Sequence, residues 1–229
     1  KDLKLNIINE ESKSKLSNKL LIKNISINSK MIKKNDVFFA IKGKKIDGNR
    51  FVSEALKKKS CLAIVNRKDI NYPKSKQIKV DNTLNFLTKC SSIFRENINA
   101  KIISITGSCG KTTLKEMIGF TLNKISKTTY SPKSFNNKYG VPLSLFNLKE
   151  NDEFGVFEVG MDKKGEINNL TKIIRPNLGI ITNISYAHSK NFKNIKGIAE
   201  AKGEIIHNIK TNGSIILNAD DNYLNYHRN

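Results

Sequence analysis

Residues 106–113 read Thr-Gly-Ser-Cys-Gly-Lys-Thr-Thr. Gly107 and Gly110 can turn the backbone so that successive N–H groups point at one anion. Lys111 has the reach to bring an ammonium to β- and γ-phosphate oxygens, and the Thr112 hydroxyl stands where such loops ligate Mg²⁺. The apolar, β-branched run Ile102-Ile103-Ser104-Ile105 before the loop reads as a buried strand. After it, Leu114, Met117, Ile118, Thr121, Leu122 and Ile125 recur at helical spacing. Strand, glycine loop, Lys-Thr and helix make a phosphate-binding loop, to which the helix N-terminus adds its dipole. The commoner G-x-x-x-x-G-K-[ST] form would place glycine where Ile105 stands, so the pattern here is T-G-x-x-G-K-T-T. A tight strand-to-helix turn with an incidental lysine is the competing reading; the agreement between motif and flanks argues against it.

Three further polar residues fall at or beyond the carboxyl ends of expected strands, where ligands bind in parallel α/β sheets. Glu158 is an acid among Val156, Phe157 and Val159. A carboxylate inside an apolar strand is costly unless paired or metal-bound, so it reads either as a salt-bridge partner or, beside a phosphate loop, as a Mg²⁺ ligand. His188 follows the strand expected at 178–183; alone it reads as a solvated loop histidine, and only its position after a strand end gives it weight. Lys202 shares one face of the helix expected at 195–209 with Ile198, Ile205, Ile206 and Ile209. Desolvation on an apolar stripe favours the neutral amine, which can add to CO₂ and become an anionic carbamate able to ligate a metal. A lysine snorkelling from the edge of the stripe is the alternative.

The elements that must position these residues alternate. From 101 onward we expect strands at 102–105, 128–130, 154–159, 178–183 and 214–217. Helices are expected at 112–125, 141–147, 165–174, 195–209 and from Asp220. That order specifies a mostly parallel sheet flanked by helices, with right-handed crossovers. Residues 1–99 read as a smaller α/β domain: strand-like runs at 20–27, 37–41, 62–65 and 77–80, a short helix around Phe51, Ala55 and Leu56, and a helix from Asn82 to Glu96. Asn97-Ile98-Asn99-Ala100 is the joint, so the expected domains are 1–99 and 100–229.

With 229 residues and 38% hydrophobic content the chain can bury a real core. It contains no apolar run of the ~20 residues a membrane helix needs, so no membrane insertion is expected. Cys61, Cys90 and Cys109 form neither a disulfide framework nor a metal-ligand spacing, which fits a reducing cytoplasm. The formal charge of +21 invites a nucleic-acid reading. Lysine is spread along the whole chain, however, and no aromatics interleave with clusters such as Lys57-Lys58-Lys59. We therefore expect no nucleic-acid partner; a polyanionic small substrate would profit from the same field.

These stretches resemble the Mur ligases, the ATP-dependent amide-forming enzymes of peptidoglycan synthesis. The matching segments are TGSCGKTTLKEM, SFNNKYGVPLSL, FEVGMDKKGEI, RPNLGIITNISYAH and GIAEAKGEI, and more loosely LNADDN. The resemblance is weaker over 20–66, where Asn28-Ser29-Lys30 stands in place of the family's usual Asp-Ser-Arg. The Asn-Asn-x-x-Gly-Val-Pro and Glu-x-Gly-x-x-x-x-Gly-Glu-Ile segments point to the branch that joins D-alanyl-D-alanine to a UDP-N-acetylmuramoyl-tripeptide. A sibling that adds the third residue to the dipeptide, and a folylpolyglutamate synthase-like ligase, are the alternatives.

The resemblance implies ATP and Mg²⁺ as cofactors, and a reaction through an acyl phosphate that the amine of D-alanyl-D-alanine then attacks. It implies ATP contacts from Thr106, Gly107, Ser108, Cys109, Gly110, Lys111, Thr112 and Thr113, with Asn218 towards the adenine. One Mg²⁺ would lie on Thr112 and Glu158, and a second on His188 and a carbamylated Lys202, so that Lys111, His188 and Lys202 serve catalysis. Asn137 is expected on the substrate side, and Ser29 and Lys44 near the uridine nucleotide. The resemblance further implies a three-domain enzyme, monomeric at full length, of which this chain carries the first domain and part of the second. The chain alone is therefore expected to bind phosphate, to be marginally stable or associate, and not to ligate.

Overall fold

The structure, a computed structural model, describes every residue except 1, 15, 17–19, 44, 187–190 and 229. The chain forms two compact units, residues 1–94 and 95–229.

In the first unit α1 (Leu3–Ser12) precedes β1 (Ile25–Ser26), β2 (Val37–Phe39), α2 (Val52–Lys57), β3 (Leu62–Val65), β4 (Gln77–Lys79) and α3 (Thr83–Glu96). The four strands pair in parallel in the order β1-β2-β3-β4. Every residue of β2 and β3 is buried, as expected of parallel strands covered on both faces. Phe38, Ala40, Ala63 and Val65 pack with Val52, Ala55 and Leu56 of α2.

One element differs from expectation. The Asp2 carboxylate starts α1 by accepting the Leu5 N–H at 3.1 Å. The other Asp2 oxygen takes the Ile22 N–H at 2.6 Å, and Lys23 N–H goes to the Asn35 carbonyl. Only Ile25 and Ser26 of the expected 20–27 strand therefore join the ladder.

The second unit runs β5 (Lys101–Thr106), α4 (Lys111–Leu122), β6 (Thr128–Tyr130), α5 (Gly140–Leu145), β7 (Phe154–Glu158), α6 (Glu166–Ile174), β8 (Leu178–Ile181), α7 (Ile195–Gly203), β9 (Ser214–Leu217) and α8 (Leu224–Arg228). All five strands are parallel, in the order β6-β7-β5-β8-β9. The expected parallel α/β architecture is what the chain adopts. β5 is central, and its carboxyl end faces Glu158 on one side (Ile105 opposite Glu158) and Ile181 on the other (Thr106 opposite Ile181).

Leu114, Ile118 and Leu122 of α4 pack on Ile105, Val156 and Ile180. Met117 and Ile125, read as part of that apolar face, are instead exposed. The helix expected at 195–209 ends at Gly203, and 206–208 form a single 3₁₀ turn. The Glu204 carboxylate reaches α6, and Lys210 N–H goes to the Pro176 carbonyl, turning the chain into β9. β8 stops at Ile181 because β5 has given way to the glycine loop, and Asn183 bonds that loop instead of a strand. The last helix starts at Leu224, since Asn218 and Asp221 fold 218–223 into a turn by accepting N–H groups of Asp220 and Tyr223.

Among the described residues no helix is long and apolar enough to cross a membrane.

Candidate active site

The 106–113 loop is sutured to the segment that follows β8. Ser108 N–H donates to the Asn183 carbonyl at 2.9 Å, and Cys109 N–H to Asn183 Oδ1 at 3.1 Å. The Thr182 hydroxyl donates to the Cys109 carbonyl at 2.7 Å, and the Ser108 hydroxyl exchanges hydrogen bonds with the Ser185 backbone. Lys111 lies half-buried, its ammonium on the Gly107 and Ser108 carbonyls at 2.8 and 3.3 Å. Burial lowers its pKa, while the nearby Glu158 carboxylate pulls the other way.

Gly107 takes φ +144°, and a Cβ there would lie 1.8 Å from Thr182 Oγ1; Gly110 takes φ +79° with nothing within 4 Å of a Cβ. The two glycines therefore do different work. Gly107→Ala is expected to push the loop off Thr182 and weaken nucleotide binding by roughly 100-fold, ~2.7 kcal/mol. Gly110→Ala carries only the left-handed penalty, roughly 1–2 kcal/mol. Calorimetric titration with ADP, alongside urea denaturation of both variants, checks the split: equal losses at the two positions would remove the steric argument.

Glu158 sits at the end of β7 with no exposed surface. Its carboxylate accepts the Thr112 hydroxyl at 2.7 Å on Oε2 and the Asn136 amide at 2.5 Å on Oε1. Both donors are neutral, so they fix the carboxylate without cancelling its charge. A hydroxyl and one buried carboxylate beside a phosphate loop fit Mg²⁺, which takes one or two carboxylates and completes its shell with phosphates and waters. Among the described residues no group of three or more His, Cys, Asp and Glu forms a self-sufficient metal cage.

Lys202, in α7, is 2% exposed. Its pKa is lowered from 10.5 to about 7, first by burial and second by the Lys111 charge. A substantial neutral fraction at physiological pH is what carbamylation requires. The burial read from its helical face holds even though the helix ends one residue later.

The other expected site residues are distributed as follows. Thr106 is fully buried at the end of β5, and Thr113 is exposed in the first turn of α4. Asn137 lines a cleft of about 560 Å³ with Lys111, Asn136, Gly160, Asp162 and Asn169, among others. Its side-chain oxygen accepts the Tyr139 and Gly140 N–H groups at the start of α5. Asn218 is exposed after β9, its side-chain oxygen taking the Asp220 N–H. In the first unit, Ser29 is buried and donates to Glu54 at 2.7 Å. His188 and Lys44 lie outside the described residues.

Sequence reasoning missed three residues. Asn136, rather than its neighbour Asn137, reaches Glu158. Glu204 accepts the Gly165 and Asn168 N–H groups at 2.6 and 3.0 Å, a carboxylate at the positive end of α6. Lys115 is wholly buried. Its signal was present: Lys111, Lys115 and Gly119 share one helical face, and a glycine there marks close approach. A Cβ at Gly119 would lie 2.5 Å from the Tyr130 ring.

The Mur ligase middle domain matches residues 105–229, and the Mur ligase family catalytic domain matches residues 21–95. The chain is 40% identical, over 204 residues, to the UDP-N-acetylmuramoyl-tripeptide–D-alanyl-D-alanine ligase of Buchnera aphidicola subsp. Acyrthosiphon pisum; the match covers 89% of this chain and 44% of that protein. The crystal structure of MurF from Acinetobacter baumannii superposes with a TM-score of 0.88 at 31% identity, covering 97% of this chain and 50% of that one. MurF ligase from Thermotoga maritima in complex with ADP gives a TM-score of 0.80 at 32% identity, covering 92% and 49%. The chain thus spans about half the length of the relatives it matches.

Proposed function

Because this chain belongs to the Mur ligase family, we propose that it serves an ATP-dependent amide ligase joining D-alanyl-D-alanine to UDP-N-acetylmuramoyl-tripeptide. The observation that carries the ATP-dependent ligase reading is the fully buried Glu158 taking the Thr112 hydroxyl at 2.7 Å beside the phosphate loop. The choice of substrates rests on the likeness to proteins of that name.

In this reading residues 100–229 bind ATP and residues 1–99 bind the uridine nucleotide, with Ser29 and Lys44 near it. The 106–113 backbone and the Lys111 ammonium hold the phosphates, and Asn218 approaches the adenine. Thr112 and Glu158 would hold one Mg²⁺, and His188 with a carbamylated Lys202 would hold a second; bound there, the ions would supply positive charge against the crowded phosphate and carboxylate oxygens. The γ-phosphoryl passes to the terminal carboxylate of the tripeptide, releasing ADP. The amine of D-alanyl-D-alanine then attacks the acyl phosphate, the C–N bond forms, phosphate leaves and the amine gives up a proton.

Lys111 stays charged and stabilises the negative charge on the transferred group. For Lys202, the neutral amine forms an N–C bond to CO₂ and loses a proton to solvent. That turns a neutral amine into an anion attracted to Lys111. Asn137 lines the substrate side of the cleft. The expected setting is the cytoplasm, with a monomer bound to neither membrane nor nucleic acid, supplying cell-wall synthesis during growth and division.

The test is phosphate release by the protein as the cell makes it, with ATP and Mg²⁺, against a panel of UDP-muramoyl peptides and amine acceptors. Turnover of ~1 s⁻¹ or more is expected with the tripeptide and D-alanyl-D-alanine. Turnover with the dipeptide and a single amino acid instead would move the chain to the sibling branch. Hydrolysis of ATP that ignores every acceptor would make it a nucleotide switch.

A further inference from the structure

Lys115 is a wholly buried cation that the reaction above does not use. Its ammonium donates to the Ser131 carbonyl at 2.7 Å, to the Lys133 carbonyl at 2.5 Å, and to Glu116 Oε1 at 2.8 Å. An ammonium has three donors, so all are placed. Burying a charge is expensive, and a lysine directed to solvent would avoid the cost.

Two of its three partners are backbone carbonyls in the loop between β6 and α5. The Lys133 backbone is left-handed, with φ +50°, uncommon for a residue with a long side chain. That loop goes on to carry Ser134, whose hydroxyl lies 3.5 Å from that of Thr112, and Asn136, whose amide binds Glu158. At the loop's start the Ser131 hydroxyl accepts the Glu158 N–H at 3.5 Å. One helix thus works on both sides of the site. The first turn of α4 presents Lys111 and Thr112, and the second sends Lys115 beneath the loop opposite.

We propose that Lys115 is a positioning residue. By pinning the Ser131 and Lys133 carbonyls it sets the loop so that Asn136 and Ser134 fall on Glu158 and Thr112, and the Glu158 carboxylate is oriented for a divalent cation. This rests on the reading of Thr112 and Glu158 as cation ligands. Lys115 touches neither nucleotide nor metal in this scheme; it acts through Asn136. Groups of that kind change metal affinity by ~10–100-fold when removed.

The probe is Mn²⁺ bound in the presence of ADP, followed by electron paramagnetic resonance. Proteins compared are the wild type, Lys115→Met, Lys115→Arg, Asn136→Ala, Glu158→Gln and the Lys115→Met/Asn136→Ala double variant. Lys115→Met is expected to weaken Mn²⁺ by ~10-fold or more, Lys115→Arg to recover part of the loss, and the double variant to bind no worse than the weaker single one. Hydrogen exchange of the 134–137 amides, without metal or nucleotide, is read in parallel and should accelerate in Lys115→Met while β5 and β7 keep their protection. Should that variant not fold, the same amides are read in Lys115→Arg, where a bulkier cation must shift the loop. If Glu158→Gln binds Mn²⁺ as well as wild type, the metal reading fails and the orienting role goes with it. If Glu158→Gln weakens Mn²⁺ but a folded Lys115→Met does not, or if exchange at 134–137 is unchanged, the Lys115 inference alone is overturned.

Discussion

Replacing Glu158 by alanine in the protein as the cell makes it is expected to cut ATP-dependent phosphate release by at least ~100-fold, a barrier increase of ~2.7 kcal/mol. Glu158 has no exposed surface, and its two oxygens are held by the Thr112 hydroxyl and the Asn136 amide. A carboxylate in such a place needs a cation to repay its desolvation. Lys111 is close enough to feel its charge, yet the ammonium of Lys111 is on the loop carbonyls of Gly107 and Ser108. That leaves the carboxylate available to an ion brought by the nucleotide. Removing it also strands the Asn136 amide, so ADP affinity in Mg²⁺ should fall together with turnover. Steady-state kinetics and nucleotide titration on one preparation test both. A rate within a factor of about three of wild type, less than ~1 kcal/mol of barrier, would exclude the role.

Lys202→Ala is expected to abolish turnover, by ~1,000-fold or more, with partial recovery when a short carboxylic acid is added to replace the carbamate. Full activity after exhaustive CO₂ removal would rule the carbamate out. Stability provides a separate readout. The Lys202 ammonium has its pKa lowered from 10.5 to about 7, chiefly by burial. Below about 7 both folded and unfolded chains hold the proton, and folding bears the whole cost of burying the charge, on the order of 5 kcal/mol. Between about 7 and 10.5 the unfolded chain holds more protons than the folded one, so stability rises with pH across that window. Lys202→Met removes the titrating group and should therefore stabilise the fold most at pH 6, with the gain shrinking towards pH 10. Urea denaturation at three pH values in CO₂-free buffer, where Lys202 is the free amine, measures it; a gain that does not depend on pH would mean that Lys202 is not the buried amine described here. A variant more stable than wild type and inactive would place the buried amine among features kept for chemistry at the expense of stability.

Both predictions depend on where a parallel sheet gathers its residues. Loop 106–113, Glu158 and the 182–185 segment come from three strands adjacent in the order β7-β5-β8. Each leaves its strand at the same edge because all the strands run the same way.

The local part of this site is written in short runs of consecutive residues. Glycine spacing, the β-branched run before it and the helical period after it define the phosphate loop without reference to any other part of the chain. Alternating strand and helix signals define a parallel sheet. The apolar stripe around Lys202 predicts its burial, and that holds despite a helix that stops at Gly203. Periodicity and glycine freedom are properties of a few consecutive residues, so they can be read locally.

The remaining contacts depend on how the sheet is ordered. Thr112 meets Glu158 across 46 residues and Asn136 meets it across 22, because β7 lies between β6 and β5 in a sheet whose order no local pattern encodes. The same order places the 131–133 carbonyls over Lys115 and brings Glu204 to the start of α6. It also separates two adjacent asparagines, one onto a carboxylate and the other onto the first turn of a helix. A residue's type and its neighbours report whether it can be buried and what it can donate. Which partner it finds depends on strand order and on the close approach of helix to sheet, and both are set by packing of the whole unit.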